Sequence, residues 1–571
     1  MSARVRWACA GFALVMVAVL LWLAWSSIQV RHQSTALEST LNQTEADARA
    51  LDTASLPSDL ADLREQAAAL ESTSTGPEWW LVSWLPWIGD NIEAVQTIAH
   101  AVSSVAQSTD GLEPLLPGLA PAKLRGPTGR IDVAELQAAE PEIARVGAAM
   151  SAARLELDEI STDDLVGPVA SAVEKARSAL DGAPEAMTAF GAVPALLGAD
   201  GPRTYAVLLL NPAELRGGGG FFGGYAIITA DHGDVTLQKV GPSDDLVRSG
   251  PLDVASLPKE YRALWGESSL EWQSVNISPN FPYAGQLTAD GFAKLGLHID
   301  AVIALDSKVA AALLAGTGPV SANGVTITSK NADAYFTKGI YAQFPDGVGH
   351  KQQVLALFSQ MFMKLTTEPI DTKALSAALA PLLSQRRLLI WTTDAKTESL
   401  MAALPIGGLV PDAPGPWTTV ALINGSGNKM DAYVKSRVSY LSSRCTSGSG
   451  PSTVTLQLAN LAPANLPPYV DQRLDDPSAP KGSTESLAYV YGPVGSTLVS
   501  AHLDGKPVPV QAGNERGHPV WRFDVTLLRG QSRALTVTLA EPRDGRAATP
   551  AVMVQPMEID ETSAATSVAC G

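Results

Sequence analysis

The apolar positions of this 571-residue chain change their spacing several times, and each spacing predicts a different kind of element. Met1–Arg6 carries Arg4 and Arg6, and Trp7–Val30 then runs without a charge. A block of that length crosses a ~30 Å hydrocarbon core as one helix. Trp7, Trp22 and Trp25 stand towards its ends, where indoles favour the interface. From Gln33 to about Leu197 the spacing is helical, with Leu37, Leu41, Ala48 and Leu51 near one stripe. Pro57 interrupts it, with Ser55 as a candidate cap, and the next helix runs to about Ser72. Further helices are predicted over Asp90–Ser108, Asp132–Ile160 and Pro168–Phe190, which together make an antiparallel bundle or stalk.

At Gly201-Pro202 the pattern shifts. Tyr205–Leu210 and Tyr225–Thr229 are apolar runs of strand length that pair as a hairpin, and the chain is then loop-rich through Pro258. Short helical and strand patterns alternate after that. Leu257–Trp265 and Tyr283–Gly296 are helical, Ala301–Leu305 is a buried strand, and Asp306 caps a helix over Ser307–Ala315. Val320–Thr328 is a hairpin turning at Asn323-Gly324. Helices over Asn331–Tyr341, Lys351–Leu365, Thr372–Ser384 and Ala395–Leu404 and a strand over Arg387–Thr392 complete an α/β core. From about Trp417 short alternating runs separated by Gly, Pro and Asp predict a β-sandwich. The fold class is thus multidomain α+β. Its order is a cytoplasmic N-terminus (1–6), a transmembrane helix (7–30), a helical stalk or bundle (31–200), an α/β core (201–414) and a β-sandwich (415–571).

Charge sets the compartment. Arg4, Arg6 and the α-amino group hold the N-terminus in the cytoplasm. The apolar run exceeds the h-region of a cleaved signal peptide, so the expectation is a single-pass cell-membrane protein with its bulk outside the cytoplasm. The net charge of -17 excludes a nucleic-acid partner, because no basic stripe can neutralise phosphates. In that compartment Cys445 and Cys570 are candidates for a disulfide, with two free thiols as the alternative. Trp79–Trp87, with four tryptophans in nine positions, is either the apolar plug of the helical bundle or a dip into the outer membrane interface.

Candidate chemistry centres on the loop between the first two strands. Asn211, Glu214 and Arg216 precede the glycine run Gly217–Gly220. The run lacks the Gly-Lys-Ser/Thr of a P-loop, and no helix follows it, which argues against a nucleotide cradle. Backbone N–H groups at Gly218 and Gly219 beside Arg216 offer an anion nest for a phosphate or carboxylate. The competing reading is a bulged hairpin in which Glu214 and Arg216 pair with each other or with a neighbouring loop. Asn276 and Asn280, in the irregular stretch before Tyr283, join the candidate ligand-binding set. The seven histidines are scattered, so no metal site and no cofactor are predicted.

The hairpin, the Asn276–Pro282 loop, Ile299–Val320 and Asn424–Asp431 resemble the membrane-anchored bacterial family catalogued as domain of unknown function 4012, common in actinobacteria. Ile299–Asp306 followed by Leu313–Val320 is more distantly similar to the LytR–CpsA–Psr proteins, membrane-anchored transferases that move glycopolymers from a polyprenyl-pyrophosphate carrier to the cell wall. That family opens its first strand with Arg-x-Asp, where this chain has Arg203-Thr204-Tyr205, and the Arg-Asp pair of its second strand is absent from Tyr225–Ala230. The resemblances imply an envelope protein that binds or helps assemble a glycan, a lipid-linked glycan or a partner protein. The alternative they imply is a glycopolymer phosphotransferase, which would need Mg²⁺; a structural spacer presenting the β domain is the third.

Overall fold

The computed structural model describes residues 32–48, 52–76, 79, 88–126, 129–411, 415–443, 449–542 and 549–568. The predicted transmembrane helix over 7–30, three tryptophans of the cluster (Trp80, Trp84 and Trp87), and both Cys445 and Cys570 lie outside the described residues. Among the described residues no helix is long and apolar enough to cross a membrane. The chain divides into two compact units, Met1–Asp200 and Gly201–Gly571.

The first unit is helical. Its main helices are α1 (residues 32–48), α2 (Leu56–Ser74), α3 (Ile88–Ser108), α4 (Val133–Asp158), α5 (Gly167–Ala179) and α6 (Ala183–Gly191). Leu56, Leu60, Leu63, Ala67 and Leu70 of α2 recur at helical spacing and bury against Leu37, Ala99 and Ala106. The buried stripe of α1 differs from the expected one. It runs through Leu37 and Thr44, while Leu41 and Ala48 are exposed. Thr40 explains the rotation, because its hydroxyl donates to Gln66 Oε1 of α2 at 3.0 Å and turns that side of α1 inward. Ser55 does not cap α2: its backbone is already helical (φ -83°, ψ -37°), whereas a capping side chain needs an extended residue. The Asp52 carboxylate instead accepts from Ala54 N at 3.2 Å. The predicted helix over 168–190 is two helices, split where Gly182 takes φ 71°. Trp79 is partly buried, and its indole N–H donates to Thr73 O at 2.8 Å.

The second unit is built on a five-stranded mixed sheet. Its strands are β1 (Arg203–Arg216), β2 (Gly219–Asp231), β3 (Asp234–Pro242), β4 (Ala301–Leu305) and β7 (Leu388–Thr392), in the order β3-β2-β1-β4-β7. A small hairpin, β5 (Val320–Ala322) with β6 (Val325–Ile327), stands apart and turns at Asn323 and Gly324, both at positive φ. Strand β1 pairs antiparallel with β2 and parallel with β4. Both its faces are buried. Ala206, Leu208 and Leu210 join one core with α7 (Phe281–Lys294), while Tyr205, Val207 and Leu209 join another with α9 (His350–Thr367). Helices α8 (Ser307–Thr317) and α10 (Thr372–Ser384) pack on each other beside the sheet.

The remaining strands, numbered along the chain, form two sheets. One contains β8 (Trp417–Asn424), β11 (Thr484–Tyr491), β14 (Gln511–Glu515), β15 (His518–Leu527) and β17 (Ala551–Met553). The other contains β9 (Val434–Ser443), β10 (Ser449–Asn460), β12 (Thr497–Leu503), β13 (Lys506–Pro507), β16 (Ser532–Pro542) and β18 (Thr562–Val568). The two sheets share one apolar core. Strand β8 is buried along its whole length. Val420 and Leu422 face the core between the sheets, and Ala421 and Ile423 face the α/β core. Residues 201–571 therefore pack as successive layers of one unit.

Candidate functional site

The site begins with a break in β1. Pairing with β2 runs from Arg203↔Ala230 to Arg216↔Gly219, but the register shifts between Asn211 and Leu215. Such a bulge re-aims the side chains around it. Asn211, Glu214 and Arg216 line a cavity of about 890 Å³, within the ~300–1,000 Å³ common for small-molecule sites. A π-helical turn over Tyr335–Gly339 sets Phe336, Ile340 and Tyr341 along another wall. Leu355, Phe358 and Met361 of α9 supply a third, recurring at the spacing that keeps side chains on one helix face.

The cavity is amphipathic. Leu209, Leu305, Ala310, Leu355, Phe358 and Met361 give it an apolar lining. Pro345, Asp346, Gln472 and Leu474 are exposed and mark its mouth. Charged groups line it as well. Lys429 makes an ion pair with Glu214, both almost fully buried. The ammonium also sits 4.4 Å from the ring centre of Tyr469 and 5.8 Å from that of Tyr341. Burial opposes the Lys429 charge, but Glu214 outweighs it and raises the lysine's pKa. Asn211 Nδ2 donates to Tyr341 Oη, and its Oδ1 accepts from Ala213 N at 3.0 Å, which braces the bulge.

Asp431 sits beneath the bulge and accepts from Leu215 N and from Asn424 Nδ2, each at 2.7 Å. Burial pushes its pKa up to about 6. Lys351 Nζ reaches both oxygens of Asp244 at 2.8 Å. Asp306 caps α8 by accepting from Lys308 N and Val309 N at 3.0 and 3.1 Å, and it pairs with buried Arg387. Arg216 is different. Its Nε donates to Ser274 Oγ at 3.1 Å, its Nη1 donates to Leu215 O at 2.8 Å, and its guanidinium lies 5.3 Å from the Phe221 ring centre. It forms no ion pair among the described residues, and burial lowers its pKa.

Of the seven residues singled out from the sequence, Asn211, Glu214 and Arg216 come together here. Gly218, Gly219, Asn276 and Asn280 do not line this cavity. The amides of Gly217 and Gly218 donate to Ile277 O and Asn276 O at 3.0 and 2.9 Å. The Gly217 and Gly218 N–H groups are therefore engaged within the protein, where the glycine run crosses the 276–277 backbone. A Cβ at Gly217 would meet the Ile277 carbonyl, and one at Gly220 the Asn211 backbone. Asn276 Nδ2 donates to Gly220 O at 2.8 Å, and Asn280 Oδ1 accepts from Val410 N at 3.1 Å. Glu214 and Arg216 do not pair with each other; Glu214 takes Lys429, and Arg216 takes the Ser274 loop. Lys429, Tyr341, Tyr469 and Lys351 escaped the sequence reading. Only Lys429 stood within a segment that drew notice, Asn424–Asp431.

The stretch over residues 200–341 matches the family described as Protein of unknown function (DUF4012). It supplies the bulged hairpin, β4, α8 and the π-helical turn, which is one side of the cavity. No curated protein and no solved structure matches the chain.

Proposed function

We propose that this chain is a membrane-anchored protein of the cell envelope whose 201–571 unit holds a lipid or lipid-linked glycan. One observation carries the reading: the cavity of about 890 Å³ combines an extensive apolar lining with a cluster of charged and aromatic groups. That combination matches an amphiphile, since apolar tail groups gain about 0.8 kcal/mol per buried CH₂. The Trp7–Val30 block supplies the anchor in this reading and keeps the unit near its ligand's source.

The test is native mass spectrometry of the detergent-extracted full-length chain, searched for a co-purified polyprenyl or acyl lipid. An Ala310→Phe variant, which crowds the apolar lining, is expected to lose the adduct. A protein that carries no lipid and binds no fluorescent long-chain probe sinks the proposal. The phosphotransferase reading draws on the same cavity. It needs several cations converging on the charge that builds at the leaving oxygen, and two of the three lysines and arginines on the cavity wall already hold acids of their own.

A further inference from the structure

The charges on the cavity wall can be sorted by partner. Lys429 is balanced by Glu214, and Lys351 by Asp244. Asp306 is balanced by Arg387. His350 Nδ1 lies 2.6 Å from Gly347 O, and burial lowers its pKa, so the ring contributes no charge near neutrality. Asp346 is exposed at the mouth, where water screens it. Arg216 is left as the wall's cation with no ion pair among the described residues. Two of its N–H groups are bound, by Ser274 and Leu215, and these fix the plane of the guanidinium. Nη2 makes no hydrogen bond among the described residues. The carboxylates of Glu214, Asp431 and Glu271 act on its charge without a direct ion pair, and its fork is suited to a carboxylate or phosphate oxygen pair.

We infer that the amphiphile held in this cavity carries a single negative charge at its head, a phosphodiester or a carboxylate, and that Arg216 binds that charge. This rests on the proposed tail-binding function. It also narrows it. A pyrophosphate brings more than one charge, and Arg216 is the one wall cation that makes no ion pair among the described residues. The same three carboxylates would repel additional negative charge at the head.

The experiment uses full-length protein in a steroid-based detergent and displacement of a fluorescent long-chain acyl probe. Four competitors share one hexadecyl tail and differ in the head: hexadecanol, palmitate, hexadecyl methyl phosphate and hexadecyl pyrophosphate. The two monoanions are expected to bind about ten- to hundredfold more tightly than the alcohol, the range of one charge-assisted hydrogen-bonded pair. The stronger of them tells a fatty-acid source from a phosphodiester lipid. The pyrophosphate is expected to gain nothing over the phosphodiester. Arg216→Gln should erase the advantage of the monoanions and leave hexadecanol binding unchanged, and Arg216→Lys should restore part of it. Equal affinity for alcohol and monoanions in the unaltered protein overturns the inference, as does a pyrophosphate that binds tenfold tighter than the phosphodiester. So does an Arg216→Gln variant that loses all four ligands alike. If the probe and hexadecanol both fail to bind the unaltered protein, the tail-binding reading itself falls, and this inference with it.

Discussion

Gln555 pairs with Leu422 through both halves of its side-chain amide. Leu422 N donates to Gln555 Oε1 at 2.8 Å, and Gln555 Nε2 donates to Leu422 O at 2.9 Å. The same Nε2 donates to Arg216 O at 2.8 Å. One side chain thus takes the place of a strand beside β8 and ties that strand to the residue at the end of β1 whose guanidinium faces the cavity. Gln555 is almost fully buried. Replacing it with Leu leaves an amide and two carbonyls without partners, and each such buried group costs about 1–3 kcal/mol. Gln555→Leu is therefore expected to destabilise the full-length protein by at least about 2 kcal/mol, read as a lower midpoint in urea. An unchanged midpoint would show that water replaces the amide.

The Lys429–Glu214 pair gives a second expectation. Both groups are buried, so removing one strands the other as an uncompensated charge. Lys429→Met is expected to cost about 3–5 kcal/mol. The double variant Glu214→Gln with Lys429→Met should recover a large part of that loss, because no charge then remains to be desolvated. Chemical denaturation of the two single variants and the double variant measures the coupling. Additive losses would mean that the aromatic contacts of Lys429, and not its charge, stabilise the site.

The elements were largely legible in the sequence, and the site only in part. Ala301–Leu305 and Thr372–Ser384 have the ends that their apolar patterns predict. Their signals are local. Strand β3 was missed because it is an edge strand: Thr236, Gln238 and Lys239 give it a polar surface, and its identity comes from pairing with β2. Strand β18 was missed for the same reason. Thr562–Val568 is Ala, Ser and Thr apart from its last residue, and only the ladder with β9 makes it a strand. The glycine run drew attention to the correct hairpin, yet its glycines permit a backbone crossing while the neighbouring bulge turns Asn211 and Glu214 into the cavity. Lys429 reaches Glu214 across 215 residues of chain, with the Tyr341 and Tyr469 rings against its ammonium, and no spacing along the sequence encodes that meeting.

Two buried carboxyls, Glu561 and Asp431, and the half-buried Glu398 contribute to the pH dependence of stability. Burial pushes Glu561 up to about 8, Glu398 to about 7 and Asp431 to about 6. Glu561 Oε2 accepts from Ser436 Oγ at 3.0 Å, which only partly offsets the burial. Between the ordinary carboxylate range and these raised values the folded state binds more protons than the unfolded one. The slope of stability against pH is then negative. Their contribution is full below the unfolded pKa values and is lost as pH rises towards about 8. Denaturation midpoints measured between about pH 5 and 9 should fall with pH, and Glu561→Gln should flatten the upper part of that fall. A wild-type midpoint that rises across this window contradicts the assignment.

Val568 lies opposite Ser443 at the end of the parallel ladder between β18 and β9, whose register begins at Thr562↔Arg437 without a shift. Cys570 and Cys445 each stand two positions further along the sequence. Both cysteines lie outside the described residues, and the ladder brings Ser443 and Val568, the described residues nearest to them in the sequence, beside each other. The proposed location outside the cytoplasm permits oxidation. Peptide mapping of the full-length protein without reductant is therefore expected to recover the segments containing Cys445 and Cys570 as one linked species. Cys570→Ser should lower stability by about 2–5 kcal/mol, since the bridge closes a long loop. Alkylation of both thiols in denatured, unreduced protein would rule the bridge out, and with it one support for the outward placement of this unit.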